Sequence, residues 1–278
     1  MVLLMPHRWL VLVGLAFVLL GVRTLSRRWL FPVTELQLPG LAVSRSAGGE
    51  SAANSTVGAE RRAFGARDGT VVHALELVAP EGGRTIVDFH NNRETIENRL
   101  DVARALRAYG FGVLLVEYRG YGSSRGQAPS EEGLYLDAEA ALDMLATRGI
   151  PAERIVLWGT SLGTGVAAEM ARRGRGARLI LVSPYTSIPD LVTEVVPGVP
   201  ARLLLADHFD TLSKAAQIHT RTTVVHGDAD EIVPFWMGQR IAKAIAGARF
   251  VRVPGGHHGD LFARDADWLL GQLVRSGT

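Results

Sequence analysis

From about residue 63 onward, short apolar and β-branched runs alternate with longer segments whose apolar residues recur every three or four positions. The runs at 71–78, 85–89, 113–117, 154–158, 179–183, 223–226 and 250–253 predict strands, because they are rich in Val, Ile, Leu and Thr and end at turn-forming residues. The segments at 94–108, 131–147, 162–173, 237–246 and 261–275 carry the helical period. Strands that alternate with helices in this way predict an α/β fold, with a mostly parallel central sheet covered by helices on both faces. No internal repeat interrupts the pattern.

The chain before residue 63 follows a different pattern. Residues 9–22 contain neither charge nor proline, and arginines flank them at Arg8, Arg23, Arg27 and Arg28. This run falls short of the roughly 20 apolar residues that span a bilayer, and it also fits the core of a cleaved signal peptide. No A-x-A-like cleavage site follows it, and Leu25, Trp29, Leu30 and Phe31 extend the apolar surface while arginines can reach the interface, so a single membrane anchor is expected. The positive charges after the run lean the following domain towards the cytoplasmic side. Between Pro39 and Gly58 the sequence is rich in Gly, Ala and Ser without apolar periodicity, as an exposed linker would be. The expected division is therefore an anchor at 1–34, a linker at 35–62 and one domain at 63–278.

Composition narrows the chemistry. Of 278 residues none is cysteine, so thiolate nucleophiles, thiolate metal sites and disulfides are excluded. The formal charge of +2 comes from the four arginines near the N-terminus; without them 26 basic residues face 28 acidic ones, which gives no footprint for nucleic acid.

Gly159-Thr160-Ser161-Leu162-Gly163 follows an apolar strand and opens a helical segment, the context that a G-x-S-x-G nucleophile turn requires. Glycines let the backbone fold back sharply and leave the serine hydroxyl exposed, while the first helical amides point towards developing negative charge. A serine hydroxyl needs a histidine base and an acid to orient it. Two later loops supply both types: Asp228 and Asp230 follow the strand at 223–226, and His257 and His258 follow the strand at 250–253. The order Ser, Asp, His is that of α/β-hydrolases, and all three loops fall at the carboxyl edge of the predicted sheet. Each loop also has a plainer reading, as an ordinary turn, a helix cap or exposed histidines. A metal site is not expected, since no H-E-x-x-H or comparable ligand spacing occurs.

The block Glu117-Tyr118-Arg119-Gly120-Tyr121-Gly122-Ser123-Ser124, the segment Ser183-Pro184-Tyr185-Thr186-Ser187-Ile188 and the run from His226 to Pro234 together resemble a subgroup of α/β-hydrolases tethered by one N-terminal helix. The resemblance covers the chain from about Thr85 onward. It implies an α/β-hydrolase fold with a small cap at about 184–212, Ser161 as nucleophile, Asp230 as acid and His258 as base, with His257 as the alternative base. It further implies an oxyanion hole made by the backbone N–H groups of Asn92 and Leu162. The subgroup has H-G-N where this chain has His90-Asn91-Asn92, and losing that glycine is expected to alter the loop.

The expected activity is hydrolysis of an ester or acyl thioester without metal or organic cofactor. The substrate would be a small molecule or an acyl lipid, given the apolar residues of the cap segment and the membrane helix. A serine peptidase uses the same fold and triad, and a non-catalytic binding protein would follow if the altered loop disabled the oxyanion hole.

Overall fold

The computed structural model describes residues 21–27, 30–31, 58–124 and 127–261. Most of the expected anchor at 1–34, most of the expected linker at 35–62 and all but the first residue of the expected helix at 261–275 therefore lie outside the described residues. Among the described residues no helix is long and apolar enough to cross a membrane.

Eight strands form one sheet: β1 (Glu60–Gly65), β2 (Val71–Leu77), β3 (Thr85–Phe89), β4 (Gly112–Glu117), β5 (Ile155–Thr160), β6 (Arg178–Val182), β7 (Arg221–Gly227) and β8 (Arg249–Val253). Their order is β1-β2-β4-β3-β5-β6-β7-β8. β1 and β2 pair antiparallel, β2 joins β4 antiparallel, and the strands from β4 to β8 pair parallel. The central strands β3, β4 and β5 are buried along their whole length, as expected of parallel strands covered on both faces.

Alternation along these strands divides the core in two. Leu114 and Val116 face one apolar cluster, with Leu134 and Ala138 of helix α2 and Val166 and Met170 of helix α3. Val113 and Leu115 face the other, with Leu100, Ala103 and Leu106 of helix α1. Here α1 is Leu100–Ala108, α2 is Glu131–Thr147 and α3 is Leu162–Arg172.

Between β6 and β7 the chain leaves the sheet as helices α4 (Ile188–Val195) and α5 (Ala201–Leu204), then returns through α6 (Thr211–Lys214). The base of this excursion is tied by two backbone bonds, from the Ile188 N–H to the His208 carbonyl at 2.8 Å and from the Leu212 N–H to the Thr186 carbonyl at 3.0 Å. Helix α7 (Phe235–Ala244) connects β7 to β8.

The chain runs from β3 to β4 on one side and to β5 on the other, so strand order reverses at β3. Such a reversal opens a crevice at the carboxyl ends of the strands. The loops after β3 and β5 border it.

The expected strands recur with ends shifted by a residue or two, as happens at fraying termini. β1 was not among them. Its sequence ERRAFG lacks a β-branched residue and its side chains are mostly exposed, the polar character that suits an edge strand. The first described strand accordingly begins at Glu60, before the expected domain start at residue 63.

Candidate active site

Ser161 links β5 to α3 and adopts φ 51° and ψ −114°, a left-handed conformation costly for a residue with a side chain. Two glycines permit it. A Cβ on Gly159 would press into the Gly163 carbonyl and lie 2.7 Å from Thr164 Cα, and one on Gly163 would collide with the Phe89 carbonyl at the end of β3. The turn is pinned by Ser161 N–H donating to the Val182 carbonyl at 2.9 Å and Thr164 Oγ1 donating to the Ser161 carbonyl at 2.6 Å. Leu162 provides the first amide of α3, a position without an intrahelical acceptor.

His258, in the loop after β8, bridges the serine and the acid. Its Nε2 lies 3.0 Å from Ser161 Oγ, and its Nδ1 lies 3.0 and 2.9 Å from the two carboxylate oxygens of Asp230. His257, adjacent in sequence, points elsewhere: its Nδ1 lies 3.1 Å from Glu231 Oε2, and its side chain is 55% exposed against 12% for His258. Of the two histidines, the fold brings His258 to Ser161. Asp228 is likewise separated from Asp230, because it pairs with Arg252 and accepts the Gly255 N–H at 2.6 Å.

Asp230 is buried. Burial alone would raise its pKa, but hydrogen bonds from His226 and His258 and the positive charge of His258 outweigh that effect and hold the carboxyl well below the usual carboxylate range. Its Oδ1 also accepts the backbone N–H groups of Ile232 at 3.0 Å and Val233 at 2.8 Å. The group is an anion with a fixed orientation, suited to hold a histidine ring and to stabilise its cation.

His226 was absent from the residues expected to act. Its Nε2 lies 3.3 Å from Asp230 Oδ2 and 3.0 Å from the Val233 carbonyl, and its ring is fully buried. Gly238 of α7 lets that helix close over the ring, since a Cβ there would collide with Nδ1. The only sequence signal was its place at the head of the His226-Gly227-Asp228-Ala229-Asp230 loop.

The loop after β3 lies against the serine turn, with the Phe89 and His90 carbonyls facing Gly163. Asn91 and Asn92 both keep φ outside the left-handed region, so the backbone here does not demand the missing glycine. Asn91 instead closes a small turn, its Oδ1 accepting the Arg93 N–H at 2.9 Å. Asn92 is held from two sides: its Nδ2 donates to the Leu30 carbonyl at 2.6 Å, and its Oδ1 accepts from the Tyr121 hydroxyl at 2.6 Å. His90 is buried beside Tyr118 and Tyr121, with ring centroids 4.3 and 5.4 Å away, and its Nε2 lies 3.3 Å from Glu117 Oε1. The second tyrosine of the Tyr118-Arg119-Gly120-Tyr121-Gly122 block thus supports the loop, a contact visible only once β3 and β4 are paired.

Residues 82–209 match the family described as serine aminopeptidase, S33. The chain is 36% identical over 195 residues to an uncharacterized protein of Mycobacterium tuberculosis, covering 69% of each. It is 34% identical over 230 residues to the α/β-hydrolase domain-containing protein WAV2 of Arabidopsis thaliana, covering 74% of this chain and 72% of that one. Among solved structures it superimposes on a Pyrococcus furiosus esterase with a TM-score of 0.67 at 15% identity, over 84% of this chain and 98% of the other. A Rhodococcus esterase gives a TM-score of 0.63 at 18% identity, over 77% of this chain and 97% of the other. The chain belongs to the α/β-hydrolase superfamily, and its central sheet and covering helices are those of that fold.

Proposed function

We propose that this protein is a membrane-anchored serine hydrolase that cleaves a carboxylic ester or acyl thioester through an acyl-enzyme on Ser161. The observation that carries the proposal is the single imidazole of His258 within hydrogen-bonding distance of both Ser161 Oγ and the Asp230 carboxylate. The names of the esterases that share its fold agree with this reaction class.

His258 Nε2 takes the proton from Ser161 Oγ as that oxygen bonds to the acyl carbon. The resulting oxyanion accepts hydrogen bonds from the backbone N–H groups of Leu162 and Asn92. The carbon–heteroatom bond then breaks, and His258 returns the proton to the departing alkoxide or thiolate. In the second half a water gives its proton to His258 as it attacks the acyl carbon; the bond from that carbon to Ser161 Oγ then breaks, His258 returns the proton to Oγ, and the acid is released. Asp230 stays ionised, fixing the ring and stabilising its cation. The apolar run at 9–22 tethers the domain to a membrane, which suits an acyl-lipid substrate.

Labelling with a fluorophosphonate tests the proposal. The folded wild type should react, whereas Ser161→Ala and heat-unfolded protein should not. A folded wild type that stays unlabelled, under conditions where a known serine hydrolase reacts, would discard the enzymatic reading in favour of a binding protein. The match to the serine aminopeptidase family supports a second reading, amide hydrolysis by the same triad. Turnover of aminoacyl amides in preference to acyl esters would select it.

A further inference from the structure

Leu30 and Phe31, close behind the apolar run at 9–22, are built into the domain beside the candidate site. Phe31 is fully buried, and its N–H donates to the Arg27 carbonyl at 2.9 Å. Its ring meets Phe209 edge-on, with centroids 6.3 Å apart. Phe209 in turn packs against α3, the helix that follows Ser161, because a Cβ on Gly165 would come within 2.9 Å of Phe209 Cδ1.

Phe209 is itself held under constraint. It adopts φ 42°, and its N–H donates to Glu131 Oε2 at 2.9 Å. Leu30 is buried as well, and its carbonyl accepts from Asn92 Nδ2. Arg27 closes the contact with a forked pair to Asp207, Nε to Oδ2 at 2.7 Å and Nη2 to Oδ1 at 3.2 Å. Asp207 is 3% exposed and also accepts the Glu131 N–H at 2.8 Å, which makes it a fixed partner for the arginine.

We propose that Arg27, Leu30 and Phe31 are positioning residues of the active site, holding the Asn92 loop and Phe209 in register with Ser161. The proposal rests on the serine-hydrolase reading above. Asn92 has one side-chain donor fixed by Leu30 and its acceptor fixed by Tyr121, so releasing Leu30 frees one side of the loop that carries the Asn92 N–H. A displacement of about 1 Å at such a group costs on the order of a hundredfold in rate. The segment that carries Arg27, Leu30 and Phe31 is thereby coupled mechanically to the Asn92 loop, and its release from the domain would slow the chemistry without touching the triad.

The test uses the full chain in detergent micelles, with phosphonate labelling rates, kcat and KM on a chromogenic ester, and amide hydrogen exchange across residues 90–93. Arg27→Ala and Phe31→Ala should each lower the labelling rate and kcat by about tenfold, with KM within about twofold of wild type. Phe31→Leu should recover most of the loss. Asn92→Asp, which removes the donor to Leu30 but keeps the acceptor for Tyr121, should be slower still. Adding Phe31→Ala to it should cost little more, because both act through one contact. Wild-type rates in Arg27→Ala and Phe31→Ala, a loss expressed only in KM, or full additivity with Asn92→Asp would overturn the proposal. If the wild type is not labelled at all, the Ser161 reading fails and exchange decides the docking: faster exchange at residues 90–93 in Phe31→Ala supports it, and unchanged exchange rejects it.

Discussion

At the scale of single residues, two adjacent histidines after β8 have opposite surroundings. His258 is turned inward between Ser161 and Asp230, and His257 is turned outward towards Glu231. If the proposed acyl-enzyme mechanism operates, His258→Ala should lower kcat for ester hydrolysis at least about a thousandfold, since it removes the proposed base while leaving other transition-state contacts. His257→Ala should stay within about twofold, a surface change away from the reacting atoms. Steady-state kinetics on both variants, with circular dichroism to show native folding, would reverse the assignment if His257→Ala proved the more damaging. The turn at Ser161 was legible in the sequence because it is local: five consecutive residues contain both the serine and the glycines that allow its backbone angles. The choice between His257 and His258 was not. Neighbours in a loop share the same composition and spacing, and only the direction of each side chain tells them apart. The supports of Asp230 and Asn92, namely His226 and Tyr121, were equally hidden, since each contact depends on how a loop closes.

At the scale of elements, the start of α2 anchors the returning end of the excursion between β6 and β7. Ser130 caps the helix by accepting the Gly133 N–H at 3.1 Å. Glu131 Oε2 accepts the N–H groups of His208 at 2.7 Å and Phe209 at 2.9 Å, and its Oε1 accepts from the Tyr135 hydroxyl at 2.7 Å. Glu131→Ala would leave both N–H groups without their acceptor, so the variant should lose about 2–4 kcal/mol of stability, measured by urea unfolding. Glu131→Gln, which keeps an oxygen for the two N–H groups, should lose less. Equal stability of Glu131→Ala and wild type would show that these bonds do not hold the excursion in place. The helix itself was readable to the residue from its apolar period, and the structure adds a serine cap followed by acidic residues in the first turn. Its tie to residues 207–209, some 76 positions later in the chain, was not, because a side chain's long-range partner leaves no periodic trace.

At the scale of the whole molecule, folding lowers the proton affinity of Glu169 and Asp230, whereas burial raises that of Asp137. Burial opposes ionisation of Glu169, but hydrogen bonds from Arg172 and Arg173 and the charge of Lys214 prevail and bring its pKa down to about 2. Asp230 is lowered in the same sense. A carboxylate whose folded value lies below its unfolded one stabilises the protein above the unfolded value, and that contribution disappears as pH falls through the folded value. Stability should therefore fall from about pH 5 to pH 2, with Glu169 supplying up to about 3 kcal/mol at neutral pH. Urea unfolding of wild type and Glu169→Gln at pH 5 and pH 3 checks the sign: the wild type should lose more stability than the variant over that interval.

The fold class, seven of the eight described strands, the helices at 100–108, 131–147, 162–172 and 235–244 and the serine turn were legible in the sequence, because each is written in nearest-neighbour chemistry and in periods of two or 3.6 residues. Tertiary structure alone decided the strand order that reverses at β3, the inward turn of His258, the pairing of Tyr121 with Asn92 and the seating of Phe31 on Phe209. Those contacts join residues separated by tens of positions, and which of many chemically equivalent partners meet is settled only when the whole sheet closes around its two cores.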